Sequence, residues 1–192
     1  MRSLRRAFIS VVPPADVLDA IAARVAPLQT DRHLRWTGPA QWHTTLCFLG
    51  GIADPAALVG ALGAPVASVT AFVMRLGGAG AFPDARRATV LWLGVQSGQD
   101  RVSELADVVT GATASPTPTG LPTPTGAGPY RPHLTLGRTS RPRDVGGLVT
   151  AIGGDPVGRE WTVAEVVVME SDTRSDGAVY TEVARVPLRD SG

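Results

Sequence analysis

Arg131-Pro132-His133-Leu134-Thr135-Leu136-Gly137-Arg138 holds a His-x-Thr-Leu core that also occurs ninety residues earlier, in Trp42-His43-Thr44-Thr45-Leu46-Cys47-Phe48-Leu49-Gly50. Each copy is a short apolar run bounded by turn residues, the pattern of a buried strand. Successive side chains on a strand point to opposite faces. His43 and Thr45 therefore share one face, with Thr44 and Leu46 on the other. His133 and Thr135 share a face in the same way, opposite Leu134 and Leu136. Each copy thus presents an imidazole and a hydroxyl side by side from an apolar sheet. The rest of the chain reads as the scaffold that brings the two pairs together.

Outward from these strands the pattern alternates. Residues 7–12 form an apolar strand stopped by Pro13-Pro14, and residues 15–28 place Val17, Leu18, Ile21, Val25 and Leu28 at helical spacing. A polar connection over 32–41 leads into the first motif. Asp54-Pro55 opens a helix expected to end near Leu62. A strand over 69–76, a turn over 77–84, a strand over 88–95 and a helix over 99–110 follow. Residues 111–129 are of low complexity, with Pro-Thr-Pro-Thr-Gly at 116–120 and 122–126, and predict a flexible surface loop. Beyond the second motif come a short helix near 143–152, an apolar strand over 161–170, a hairpin turn over 171–177 and a strand over 178–186. This is one α+β unit written twice. It predicts a duplicated two-lobed fold within a single domain over 1–192. Each lobe would be an antiparallel sheet with helices on its outer face, and the active cleft would lie between the lobes.

Composition narrows the chemistry. The formal charge of the 192 residues is +1, so no bulk field draws the chain onto duplex nucleic acid. All 18 basic residues are arginine, whose planar fork suits phosphate, although an Ala-, Gly- and Val-rich chain gives genome composition as the simpler source. The single cysteine, Cys47, excludes an internal disulfide and fits a reducing compartment. Parity places it on the face of His43 and Thr45; its expected role is nonetheless that of a small buried apolar side chain. The apolar run after Arg6 is too short for a signal-peptide core, and no run approaches the ~20 residues that span a bilayer. A cytoplasmic monomer without membrane contact is expected.

Two histidines facing one another can divide general-acid from general-base work near neutral pH. Each threonine adds a hydroxyl on the same face, and two hydroxyls with two imidazoles suit an anionic tetrahedral centre such as phosphate. Neither motif holds a carboxylate, so a Ser-His-Asp relay is not indicated. His33, His43 and His133 lack the thiolate or carboxylate spacing of a zinc site, and no metal or other cofactor is expected. His33 is expected to be a solvated loop residue. Among the tryptophans, Trp36 and Trp42 are candidates to stack a base, whereas Trp92 is expected to pack in the core.

The two motifs and their flanks resemble the two-histidine (2H) phosphoesterase superfamily, and within it the LigT-like RNA 2′,3′-cyclic phosphodiesterases, also called 2′-5′ RNA ligases. The resemblance extends to Arg6-Ala7-Phe8-Ile9, to Gly80-Ala81-Phe82-Pro83, and to Glu170-Ser171 followed by Tyr180. It implies two similar lobes and metal-independent opening of a terminal 2′,3′-cyclic phosphate to a 2′-phosphate, with 2′-5′ joining as the reverse sense. His43 would be the proton donor to the departing 3′ oxygen and His133 the proton acceptor from water. Thr45 and Thr135 would hold the non-bridging oxygens. Arg138, Phe8, Tyr130 and Trp42 are the candidates for contacting substrate. Strict alternation turns Arg138 away from His133, so it reaches the site only if the strand bulges at Gly137 or ends there. The partners implied are RNA 3′ ends or nucleotides bearing a 2′,3′-cyclic phosphate. A second reading is a non-catalytic module that holds a nucleotide or RNA end in the same cleft.

Overall fold

The computed structural model describes residues 2–31, 33–114, 130–174 and 177–191. The strands among them are β1 (Leu4–Val11), β2 (Arg35–Trp36), β3 (Thr44–Ile52), β4 (Phe72–Phe82), β5 (Ala88–Ser97), β6 (His133–Arg143), β7 (Pro156–Val163), β8 (Glu165–Arg174) and β9 (Gly177–Pro187). The helices are α1 (Ala15–Val25), α2 (Pro55–Ser68), α3 (Gln99–Thr113) and α4 (Gly146–Ile152). The strands pair in the order β7-β4-β5-β6-β3-β1-β8-β9, with β2 laid beside β6. The two halves, β7-β4-β5-β6 and β3-β1-β8-β9, meet where Thr44 pairs antiparallel with Leu134. Each half carries one His-x-Thr-Leu motif on its inner strand, giving the duplicated two-lobed α+β fold that the repeated motif predicts.

The helices interlock the halves. α1 follows β1 of the first half but packs on β7 of the second. There Arg24 Nη1 donates to the Ile152 carbonyl at 2.8 Å and Arg159 pairs with Asp16 at 2.6 Å. α3 follows β5 of the second half and packs on β3 of the first. Val17, Ile21, Leu62, Val66, Val102, Leu105 and Val109 bury the apolar stripes of the first three helices against Ile9, Val11, Leu46, Leu134 and Leu136. One sheet face is thereby closed by the core. The alternate face, bearing both histidines, is the cleft.

Local composition misplaced several boundaries. The turn expected over 77–84 is strand as far as Phe82, because the glycines there make room for a neighbour. A Cβ at Gly80 would lie 2.2 Å from the Trp92 indole. The expected strand over 161–170 is two strands, divided at Ala164. β7 pairs with β4 in one half, and β8 pairs with β1 and β9 in the other. Both pieces are apolar, so the sequence carries no mark of the change of lobe. α2 runs on to Ser68 past Gly60, Gly63 and Pro65, since Val66 continues the buried row from Leu62. Asp54 caps it by accepting from the Ala56 and Ala57 amides at 2.9 and 3.1 Å. Gly111–Thr113, expected to begin the loop, complete the last turn of α3. Residues 115–129 of that expected loop lie outside the described residues.

Candidate active site

The Thr44–Leu134 pairing fixes the relation of the two motifs. Antiparallel register sets His43 across from Thr135, and Thr45 across from His133. The histidines are then diagonal neighbours on one face, a relation that spaces residues by roughly 7–8 Å, somewhat less between Cβ atoms. A tetrahedral phosphorus group fits between two imidazoles at that spacing.

A β-bulge follows each motif at the same offset. On β3, Cys47 pairs with Ile9 and Thr45 with Ser10, leaving Leu46 as the extra residue. On β6, Gly137 pairs with Leu91 and Thr135 with Trp92, leaving Leu136 as the extra residue. Each bulge resets the alternation, so two successive residues face the core and the fifth residue after the histidine swings onto the cleft face. That residue is Phe48 in the first half and Arg138 in the second. Arg138 therefore meets the condition set by its sequence position. Cys47 corrects the parity argument: the bulge turns it into the core, where its Sγ lies 3.8 Å from Thr113 Oγ1.

Each imidazole is held from behind in the same way. His133 Nδ1 lies 2.7 Å from the Arg131 carbonyl, and the His43 ring is bonded to the backbone of Gln41. Both acceptors belong to the residue two positions earlier. A carbonyl oxygen only accepts, so Nδ1 of His133 carries the proton and Nε2 is left free for chemistry. The rings are wedged by aromatic side chains. His43 stacks on Phe8 at 4.7 Å and meets the edge of Tyr180 at 5.1 Å. His133 meets Phe82 edge-on at 4.8 Å, with Trp92 behind it at 6.2 Å. The Arg131 guanidinium covers the outer face of Trp92 at 4.5 Å.

This packing sets the charge state. Removal from water pushes His43 down from its ordinary value to about 4; the Gln41 bond opposes the shift, and the charges of His133 and Arg138 add to it. His133 is also lowered, first by burial and then by Arg138 and Arg131, against its bond to Arg131. Arg138 thus acts on both imidazoles at once. Without an anion in the cleft, both rings are neutral at neutral pH.

Other candidates fall elsewhere. Trp42 is 2% exposed in the core, where its Nε1 donates to Thr37 Oγ1 at 3.0 Å, so it offers no face to a base. Thr37 Oγ1 in turn donates to the Thr135 carbonyl at 2.7 Å, making Trp42 a brace behind the second motif. Phe8 is 2% exposed and supports His43 from beneath, leaving Phe48, at 44%, as the accessible aromatic of that half. Tyr130 donates its hydroxyl to the Thr45 carbonyl at 2.7 Å. Burial raises its pKa, so it remains a protonated donor. His33 is exposed on a separate groove, Trp36 is half-buried, and Trp92 is packed as expected, though behind His133. Phe48, Phe82, Arg131 and Thr37 were not singled out as site residues by sequence. For Phe48 the usable signal was its place five residues after His43, matching Arg138.

Among the described residues no three His, Cys, Asp or Glu side chains converge as metal ligands, and no helix is long and apolar enough to cross a membrane. Comparison with known proteins points one way. Residues 17–175 match the family model of the 2′-5′ RNA ligase superfamily. An RNA 2′,3′-cyclic phosphodiesterase of Aeropyrum pernix is 27% identical over 186 residues, covering 93% of this chain and 96% of the relative. One from Aquifex aeolicus is 28% identical over 153 residues, covering 78% and 79%. In structure, the protein TT0787 of Thermus thermophilus superposes with a TM-score of 0.76 at 26% identity, covering 97% of this chain and all of that one. E. coli LigT with 3′-AMP shares the fold with a TM-score of 0.70 at 24% identity, covering 97% and 99%. The chain belongs to the 2′-5′ RNA ligase superfamily.

Proposed function

We propose that this chain is an RNA 2′,3′-cyclic phosphodiesterase that opens a terminal cyclic phosphate to a 2′-phosphate without a metal ion. It is an enzyme of a family whose similar members bear that name. The observation that carries the reading is the diagonal of two His-Thr pairs on one cleft face, with Arg138 turned in beside them. The cyclic diester brings one negative charge into the cleft. That charge opposes the field of Arg138 and raises the imidazole pKa values, so the substrate itself favours protonation of one ring. His43 then gives its proton to the departing 3′ oxygen while neutral His133 takes one from the attacking water. The hydroxyls of Thr45 and Thr135, together with Arg138, hold the non-bridging oxygens as charge develops. A 5′ hydroxyl in place of water would yield a 2′-5′ linkage through the same proton transfers.

Incubating a nucleoside 2′,3′-cyclic phosphate with the protein in excess EDTA tests the proposal. Full turnover to the 2′-phosphate is expected. Activity that vanishes in chelator and returns with a divalent metal would overturn the two-histidine mechanism. Binding of the cyclic phosphate without turnover would favour a holding module.

A further inference from the structure

Thr45 and Thr135 occupy the same place in the two motifs, and the backbone carbonyl of each is held by a side-chain hydroxyl. The Thr45 carbonyl accepts from the Tyr130 hydroxyl at 2.7 Å, and the Thr135 carbonyl accepts from Thr37 Oγ1, also at 2.7 Å. Both bonds cross the seam between the halves. Tyr130 stands three residues before His133 and reaches the first motif; Thr37 stands six residues before His43 and reaches the second.

The seam calls for such bonds. Between β3 and β6 the ladder supplies the pairing of Thr44 with Leu134. Two residues beyond that rung on each strand come Leu46 and Leu136, the extra residues of the two bulges, where the ladder is interrupted. Thr45 and Thr135 lie between the rung and the interruption. A peptide group without a partner there could rotate and carry the threonine hydroxyl with it, and the two side-chain bonds supply the restraint that the ladder lacks. Their polarity is fixed. Trp42 Nε1 donates to Thr37 Oγ1 at 3.0 Å, so the Thr37 hydroxyl must give its own proton to the Thr135 carbonyl. The Thr37 amide adds a bond to the Leu136 carbonyl at 2.9 Å. One continuous link thus runs from Trp42, the neighbour of His43, through Thr37 to the second motif. In the other direction the Tyr130 ring packs against the core, which fixes where its hydroxyl arrives.

Resting on the phosphodiesterase reading, we propose that Tyr130 and Thr37 are positioning residues. Each acts across the seam on the motif of the other half, and together they hold the Thr45 and Thr135 hydroxyls in place for the reacting phosphorus. Tyr130→Phe and Thr37→Val delete one hydroxyl each at nearly unchanged volume, and both are assayed on uridine 2′,3′-cyclic phosphate well below their Tm. A misplacement of about 1 Å can cost ~10²-fold in rate, so a partial slackening should lower kcat about tenfold in each variant, with KM little changed. Thr37→Ser keeps the hydroxyl and should retain most of the wild-type kcat. The coupling should also be specific. In a Thr45→Ala background Tyr130→Phe should lose most of its effect, because the threonine hydroxyl it positions is gone; in Thr135→Ala it should keep it. Thr37→Val should show the reverse pattern. Wild-type kcat in both variants, a lowered Tm with kcat unchanged, or effects that multiply in every combination would overturn the positioning role and leave the phosphodiesterase reading intact. A wild-type protein that does not turn over the cyclic phosphate would remove that reading, and the positioning role with it.

Discussion

The two halves of the cleft match in backbone and differ in charge. Each has a histidine bonded to the backbone two residues behind it, a threonine two residues ahead, and a bulge that turns the fifth residue inward. In the first half that residue is the exposed ring of Phe48, beside Phe8 and Tyr180; in the second it is Arg138. Duplication thus supplies two equivalent proton-transfer positions, and the fifth residue sets them apart. On the proposed reading a nucleoside would lie against Phe48, with its anionic phosphate toward Arg138. The sugar would then be on the His43 side, leaving the His133 side open to water. The division of labour proposed above would rest on this asymmetry.

The comparison can be broken most severely at the histidines. Replacing either with Ala should lower kcat by ~10²–10⁴-fold, the usual worth of a positioned proton-transfer group, with KM little changed. The pH profile should carry the mark of the cleft. Turnover needs one ring protonated and the other neutral. Since both are lowered in the free protein, His43 to about 4, the bell for kcat/KM should lie on the acid side of 6.5. Bound anion raises both values, so the profile of kcat should shift toward higher pH than that of kcat/KM. Identical profiles centred near 7 would contradict the burial argument.

A smaller effect is expected at Arg138. Arg138→Ala removes a charged donor from the developing phosphorane and should lower kcat/KM by about 10²-fold. It should also raise the apparent pKa of both histidines, because a cation is withdrawn from each. Phe48→Ala should act mainly on KM, by about tenfold for a substrate with a base to stack. It should have little effect on a cyclic phosphate without a base. A loss confined to kcat would show that Phe48 does not meet the nucleoside.

Much of this was legible in the sequence, and what was not has a physical reason. Strand alternation alone set His43, Thr45, His133 and Thr135 facing away from Leu134 and Leu136, because period-two patterning is a local property. The bulges are not local: whether Leu46 or Leu136 is an extra residue depends on the partners Ile9 and Leu91. Alternation was therefore right up to Thr45 and inverted at Cys47. The same dependence on neighbours hid the division at Ala164 and made strand of the glycines beneath Trp92. Trp42 beside His43 looked available for stacking, but its partner Thr37 is supplied by the preceding segment and draws it into the core.

The central claim, that His43 is the acid and His133 the base, is tested most directly by varying the leaving group. In a uridine 2′,3′-cyclic phosphate whose bridging 3′ oxygen is replaced by sulfur, the P–S bond breaks and the 3′ thiolate departs without needing a proton. Such a substrate should restore the kcat of His43→Ala toward the wild-type rate, because the acid is no longer required. It should leave His133→Ala as slow as before, because water must still be activated. Rescue of His133→Ala in place of His43→Ala would contradict the assignment and reverse the roles read from Phe48 and Arg138. Rescue of neither would show that the imidazoles bind the phosphate without moving protons.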